Sequence, residues 1–189
     1  MGAPLTYEAL MAAYVAGDSR AFEKLFAMLA PRVHGFFLRS FGDRAVADDL
    51  LQTTFFKLHR ARADYRPELP LRPWVFAIAA RVRLDELRRR YRCSEDAGEE
   101  ALDAAIEAQA QKQTEESANT DVIEAVRAAL ARLPESQRVI VNLHRYEGMT
   151  FPEIAKVLGT TEGAVKLRAF RAYEKLRKEL AHLSTEEAA

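Results

Sequence analysis

Apolar residues recur every three or four positions along most of the 189-residue chain, which is the spacing of helices that bury one face. Glycine and proline are scarce, at 8 and 7 residues, so few positions interrupt these segments. About half of the residues are hydrophobic, enough to form one medium core or two small ones. The pattern predicts an all-α fold.

Three helices are expected in the first part of the chain. Thr6 can cap the first of them, and Asp18 or Ser19 can cap the second. Gly42 followed by Asp43 ends the second helix and starts the third.

A proline-rich loop and a fourth helix are expected next. The segment ADYRPELPLRP has three prolines in eleven residues, which excludes regular helix there. The fourth helix is expected from about Pro73 to Arg92. Arginines accumulate along the loop and this helix, with Tyr65, Trp74 and Phe76 interleaved. This chemistry is typical of proteins that hold unstacked bases and phosphates. The alternative is that both Trp74 and Phe76 belong to the core and the arginines form a solvated face.

Residues 94–120 differ in composition from both flanking segments. They are rich in acidic residues, contain Lys112 as their one base and have no aromatic residue. Such a segment buries too little apolar area to offset the entropy cost of ordering it. The sequence therefore predicts two helical domains, residues 1–93 and 121–189, joined by a flexible acidic linker over residues 94–120.

The charge balance and the single cysteine exclude several classes of protein. Lys plus Arg and Asp plus Glu are both 28, so the whole chain is not a basic coat protein. The start of the chain lacks the features of a secretion signal, and no run of about 18 apolar residues predicts a membrane span. Cys93 alone excludes an internal disulfide and suits a reducing cytosol.

The segment TFPEIAKVLGTTEGAVKLRAF has the spacing of a helix-turn-helix. Thr150 and Glu153 form a T-x-x-E capping box at its start. Ala155 is small, Gly159 follows four residues later at the turn, and Val165 packs inward six residues after that. A generic helical hairpin is the alternative that these residues leave open.

Helix-turn-helix geometry assigns roles to the second helix. Its core stripe leaves Lys166, Leu167, Phe170 and Arg171 pointing outward, where they can contact base edges and thymine methyl groups. Other cations of this helix, such as Arg168 and Lys175, are expected to reach phosphates, and these contacts give affinity without sequence information.

Nothing in the chain predicts an enzyme, a metal site or a bound cofactor. The four histidines are scattered without metal-ligand spacing, and there is no phosphate-binding glycine loop. No serine or cysteine has an identifiable base partner, so no small-molecule substrate is expected.

Four segments together resemble the compact extracytoplasmic-function class of bacterial sigma-70-type RNA polymerase sigma factors. The similarity covers nearly the whole chain, in the expected order and with the expected separations. The segments are VADDLLQTTFFKLHRA, RPWVFAIAARVRLDELRRR, LPESQRVIVNLHRYEGMTFPEIA and GAVKLRAFRAYEKLR.

The resemblance implies roles for residues in both predicted domains. It implies core polymerase binding, on the β′ clamp helices, by Asp48, Asp49, Leu50 and Gln52 of the third helix. It implies recognition and melting of the promoter −10 element by Tyr65, Arg66, Leu71, Arg72 and Trp74, with the DNA backbone held by Arg81, Arg88 and Arg89. It implies recognition of the −35 element by Lys166, Leu167, Phe170 and Arg171, in a domain that sits on the polymerase β flap.

The resemblance also implies partners and a location. Core RNA polymerase and promoter DNA are expected partners, with an anti-sigma factor that holds the free protein, and the location is the cytoplasm, at the membrane where that factor is membrane-bound. The linker would pass through the polymerase cleft and RNA exit path. Two features depart from the family's usual pattern: Leu167 replaces a small polar residue, and Pro67 and Pro70 replace glycine-bearing versions of the −10 loop.

Two alternatives remain open on sequence alone. One is a polymerase-independent helix-turn-helix regulator whose first domain senses a signal or dimerises. The other is a protein-binding module that sequesters a sigma inhibitor without binding DNA. The aromatic and basic helix after the proline-rich loop argues against the first alternative, and the basic second helix of the helix-turn-helix argues against the second.

Overall fold

The computed structural model of the protein describes residues 6–92 and 122–181. The α-helices in these ranges are α1 (Tyr7–Val15), α2 (Ser19–Phe41), α3 (Arg44–Ala61), α4 (Leu71–Arg92), α5 (Val122–Ala131), α6 (Glu135–Val141), α7 (Phe151–Leu158) and α8 (Glu162–Glu179). No strand occurs in these two ranges, so the predicted all-α fold is confirmed. The predicted linker, Cys93 and His182 lie outside the described residues.

The predicted caps of the first three helices are present. The Thr6 hydroxyl accepts a hydrogen bond from the backbone N–H of Ala9 at 3.1 Å. Asp18, rather than Ser19, caps α2, and the Asp43 carboxylate caps α3. Each cap satisfies a first-turn N–H that has no partner within its own helix.

Helix α4 begins at Leu71, two residues before the expected start at Pro73. Proline is tolerated in the first turn of a helix because the N–H that it lacks would have no intrahelical acceptor there. A short 3₁₀ turn, Arg62–Asp64, follows α3, and the proline-rich loop therefore narrows to residues 65–70.

The described residues group into two compact units. Those of Met1–Asp85 and Glu153–Gly159 form the first, and those of Glu86–Pro152 and Thr160–Ala189 form the second. In the first unit, α2 packs against α1 and α3. Its core contains Phe36 and Phe76, both fully buried, with ring centroids 5.7 Å apart. The boundaries at residues 93 and 121 stay a prediction.

The second unit has its own small core. Leu133, Val141 and Ala172 are buried together, and Leu130, Tyr173 and Leu176 pack against them. After α6 the chain continues in a π-helical turn, Asn142–Tyr146. The imidazole of His144 in this turn hydrogen-bonds the carbonyl oxygen of Met149 at 3.0 Å, which ties the turn to the segment before α7.

Within the described ranges, no helix is both long enough and apolar enough to cross a membrane.

Candidate nucleic-acid interface

The segment from α7 to α8 has the local geometry that the helix-turn-helix pattern predicts. Gly159 adopts a left-handed backbone with φ of 64°, a conformation that favours glycine. The Thr161 hydroxyl then accepts a hydrogen bond from the N–H of Ala164 at 3.2 Å and caps α8. A three-residue turn therefore separates α7 from α8.

One face of α8 is buried and another is open. Val165, Ala169 and Ala172 are buried, as the sequence predicts. On the opposite face, Leu167 is 51% exposed and Phe170 is 65% exposed, and both are large apolar side chains. Lys166 and Arg171 flank them and are also exposed. These four predicted residues thus share one accessible surface, which we call the α8 reading face.

Lys166 of the α8 reading face already has an anionic partner. Its ammonium lies 2.7 Å from a carboxylate oxygen of Glu162, one helical turn earlier. Both side chains are largely exposed, and such surface pairs contribute less than about 1 kcal/mol to stability. The ammonium can therefore leave Glu162 for a base edge or a phosphate at little cost.

The predicted phosphate contacts of α8 differ in their surroundings. Arg168 is half-buried. The ammonium of Lys175 donates to the carbonyl oxygen of Arg132 at 2.7 Å, so it also joins α8 to the end of α5. Arg177 pairs with Glu174, three residues earlier on the same helix.

In the proline-rich loop, the structure separates exposed residues from supporting ones. Tyr65 is only 7% exposed, and its hydroxyl donates to the carbonyl oxygen of Leu69 at 2.7 Å. Leu71 is fully buried, while Trp74 is half-buried with its ring centroid 5.4 Å from that of Tyr65. Tyr65 and Leu71 thus lack an accessible side chain in this conformation. Arg66 is exposed.

Burial raises the pKa of the Tyr65 hydroxyl, and the carboxylates of Glu8 and Glu68 raise it further. The phenol is therefore a neutral hydrogen-bond donor at ordinary pH, which suits its bond to the loop carbonyl.

The arginines of α4 do not form a single surface. Arg83 is buried and donates through Nε to the Ser40 hydroxyl at 3.1 Å, so it belongs to the core. Phe76 is also buried in the core, which agrees with the alternative that assigned it there and not to a DNA-binding surface. Arg81 is exposed and Arg88 is half-buried.

The end of α4 contains a carboxylate shared by two arginines. Glu86, whose side chain is 8% exposed, accepts from Nε of Arg89 at 2.8 Å, from Nη2 of Arg89 at 2.9 Å and from Nε of Arg90 at 2.8 Å. Its hydrogen bond with Arg89, supported by Arg90, holds the pKa of the Glu86 carboxyl below its usual value. Glu86 thereby fixes the Arg89 guanidinium at this end of the helix.

On α3, the predicted polymerase contacts are divided between surface and core. Asp49 and Gln52 are exposed, whereas Leu50 is buried. The exposed Asp48 carboxylate lies 3.1 Å from Nε2 of His34 on α2.

Sequence reasoning missed Phe56, which is 61% exposed on α3. It lies four residues after Gln52 and therefore on the same helical face. The guanidinium of Arg60 lies 5.9 Å from the centre of its ring. A large apolar residue one turn after Gln52 and two turns after Asp49 is the signal that could have identified it. We call Asp49, Gln52 and Phe56 the α3 face.

Comparison with known proteins places both parts of the chain in one family. Residues 25–93 match the family model of sigma-70 region 2, and residues 123–176 match that of sigma-70 region 4. The RNA polymerase sigma factor CarQ of Myxococcus xanthus is 39% identical over 172 residues, which cover 91% of this chain and 96% of that protein. The ECF RNA polymerase sigma factor SigM of Mycobacterium tuberculosis is 31% identical over 176 residues, covering 93% and 85%.

Solved structures show the same fold. The structure of CnrH in complex with the cytosolic domain of CnrY has a TM-score of 0.66 and 29% sequence identity, and the match covers 93% of this chain and 97% of that one. The sigma factor RpoE of Bartonella quintana, solved with the anti-sigma factor NepR, has a TM-score of 0.65 at 19% identity and supports the likeness of fold.

Proposed function

Since the chain belongs to the extracytoplasmic-function group of sigma-70-type RNA polymerase sigma factors, we propose how its residues divide the promoter and polymerase contacts. Its function is to direct core RNA polymerase to specific promoters and to assist initiation there. The main support for this assignment of contacts is a pair of exposed apolar side chains, Leu167 and Phe170, which lie between two cations on a capped helix.

The α8 reading face recognises the −35 element. Lys166 and Arg171 can donate to guanine O6 and N7 or to phosphates, and Leu167 and Phe170 can contact thymine methyl groups. A half-exposed leucine favours a methyl group over a polar edge, so we infer thymine opposite Leu167. Arg168 and Lys175 hold the backbone nearby.

The loop at residues 65–70 and the start of α4 recognise and help to melt the −10 element. Of the five residues predicted for this role, DNA can reach Arg66, Arg72 and Trp74, because each is at least partly exposed. Tyr65 and Leu71 are buried, so we assign them to holding the loop in shape. Arg81, Arg88 and Arg89 bind the backbone, and Glu86 orients Arg89.

The α3 face binds the β′ clamp helices of core polymerase. Asp49 and Gln52 supply polar contacts, Asp48 lies beside them, and Phe56 supplies an apolar anchor of the kind that dominates protein interfaces. Leu50 supports the helix from the core. The second predicted domain, residues 121–189, sits on the β flap.

We propose four further properties for this chain. An anti-sigma factor holds the free protein, since the sigma factor RpoE was solved with the anti-sigma factor NepR and CnrH was solved with the cytosolic domain of CnrY. The protein works in the cytoplasm and catalyses no reaction itself. The acidic segment at residues 94–120 links the domains.

Run-off transcription with purified core polymerase on genomic fragments tests this function. Specific initiation that requires the chain supports it. Tight operator binding without polymerase, and no initiation with it, would instead favour a polymerase-independent helix-turn-helix regulator.

A further inference from the structure

The first helix is bonded to the start of the fourth. A carboxylate oxygen of Glu8, on α1, accepts a hydrogen bond from the backbone N–H of Leu71 at 3.0 Å. The two residues are 63 positions apart in the sequence, and Leu71 is the first residue of α4.

This bond provides a hydrogen-bond acceptor for the first N–H group of α4, which the residue just before the helix does not provide. The first N–H groups of a helix have no acceptor within the helix, and a side chain just before it usually provides one. Here the preceding residue is Pro70, whose ring contains no acceptor. A carboxylate at this end is also favoured by the helix dipole, and hydrogen bonds to charged groups are stronger than neutral ones.

The other end of the loop is fixed close by. The Tyr65 hydroxyl donates to the carbonyl oxygen of Leu69, and the Tyr65 ring packs beside Trp74. Burial raises the pKa of the Tyr65 phenol, and the negative charge of Glu8 raises it further. Between these two anchors, residues 66–70 are all exposed. Glu8 and Tyr65 thus hold the two ends of an exposed loop.

We propose that Glu8 is a positioning residue for promoter −10 recognition, acting through the N–H of Leu71 to fix the loop and Trp74. This inference rests on the proposed role of the loop in reading the −10 element. Glu8 itself does not contact DNA.

The test uses the full chain assembled with core polymerase. The assay selects a library of DNA duplexes for binding to this complex and sequences the bound fraction. Each duplex is randomised over an upstream segment, for the −35 element, and a downstream segment, for the −10 element, with a spacer of variable length between them. We compare the wild type with Glu8→Ala, which removes the acceptor, and with Glu8→Gln, which keeps a carbonyl oxygen at the same reach. Glu23→Ala, an exposed glutamate of α2, is the matched control.

We expect Glu8→Ala to lower enrichment at the downstream segment about tenfold, the loss that corresponds to one charged hydrogen bond, and to leave upstream enrichment unchanged. Glu8→Gln should recover most of the loss. General destabilisation would lower both segments together, and that outcome would overturn the proposal.

A spectroscopic measurement reports on the loop without DNA. Trp74 is the one tryptophan of the chain, so its emission reports directly on the start of α4. Glu8→Ala should shift this emission towards that of a more exposed indole, while Glu8→Gln and Glu23→Ala keep the wild-type spectrum.

Failure of the inference is distinguishable from failure of the proposed function. A wild type with no downstream enrichment contradicts the −10 role of the loop. If the wild type and Glu8→Ala show equal downstream enrichment and the same Trp74 spectrum, the role of Glu8 is contradicted and the −10 role of the loop is not.

Discussion

The ammonium of Lys175 lies 2.7 Å from the carbonyl oxygen of Arg132, immediately after α5 ends. The last carbonyls of a helix have no intrahelical donor, and a cation near them is favoured by the helix dipole. Lys175 therefore stabilises the second unit besides its proposed role at DNA.

Lys175→Ala should lower the free energy of unfolding by about 1 kcal/mol, because it removes one charged hydrogen bond at a partly solvated site. Lys178→Ala, at an exposed position on the same helix, is the control and should change stability by less than about 0.5 kcal/mol. Urea unfolding followed by circular dichroism measures both. Equal stability of the two variants would contradict the structural role of Lys175.

Substitution of the cations on the α8 reading face should change base preference. Lys166→Ala and Arg171→Ala are each expected to cost about 1–3 kcal/mol at one base position of the −35 element. Selection from a randomised upstream segment, with the variants bound to core polymerase, measures this change. If either variant loses core polymerase binding instead, the division between DNA and polymerase contacts is wrong.

Leu167 should recognise a methyl group. Replacing the thymine opposite Leu167 in the −35 element with deoxyuridine removes one methyl group. This replacement should weaken binding of the wild type by about 0.8 kcal/mol. The same replacement should have almost no effect on Leu167→Ala, because its contact is already lost. A thermodynamic cycle over the two proteins and two DNAs measures the coupling, and Phe170→Ala identifies which thymine each side chain contacts. Additive losses would refute a direct contact by Leu167.

The acid stability of α4 should depend on Glu86. Hydrogen bonds with Arg89 and Arg90 lower the pKa of this carboxyl in the folded state. Its contribution to stability is therefore full above the unfolded-state pKa and is lost as pH falls through the lower folded-state pKa. The difference in unfolding free energy between the wild type and Glu86→Gln should be largest at neutral pH and shrink in acid.

Unfolding by urea at several pH values between about 7 and 3 tests this dependence. Arg89→Gln removes the largest cause of the lowered pKa, so the folded-state pKa of Glu86 rises towards its unfolded-state value. The acid loss of stability should therefore be smaller than in the wild type and complete at a higher pH. Parallel pH profiles for wild type and Glu86→Gln would exclude the pairing.

Phe56 and Phe55 should separate polymerase binding from stability. Phe56→Ala removes a largely exposed ring, so it should change the free energy of unfolding by less than about 0.5 kcal/mol. It should weaken core polymerase binding at least about tenfold if the ring fills a pocket on the clamp. Phe55→Ala, at a buried neighbour, should instead cost about 3–5 kcal/mol of stability. Wild-type affinity of Phe56→Ala for core polymerase would remove Phe56 from the interface.

Local features of the fold could be predicted from sequence because short segments determine them. Thr6, Asp43 and Thr161 cap helices through N–H groups two or three residues away, and Gly159 occupies a turn that favours its backbone. The outward position of Leu167 follows from the same helical spacing that buries Val165.

Features set by distant contacts could not be predicted in the same way. Arg83 belongs to the core because Ser40, 43 residues earlier, accepts its hydrogen bond. The Tyr65 hydroxyl donates to the carbonyl oxygen of Leu69 in the loop, and the N–H of Leu71 at the start of α4 donates to Glu8, 63 residues earlier. Helical periodicity contains no information about such partners, because it describes one element at a time.

The position of α1 has a practical consequence for dissecting the protein. The match to sigma-70 region 2 begins at residue 25, after the whole of α1. A fragment cut at that boundary would remove Leu10 and Met11 from the core and leave the first N–H of α4 without its acceptor. An isolated fragment of this part of the chain should therefore start before Thr6 so that its helix caps and core are retained.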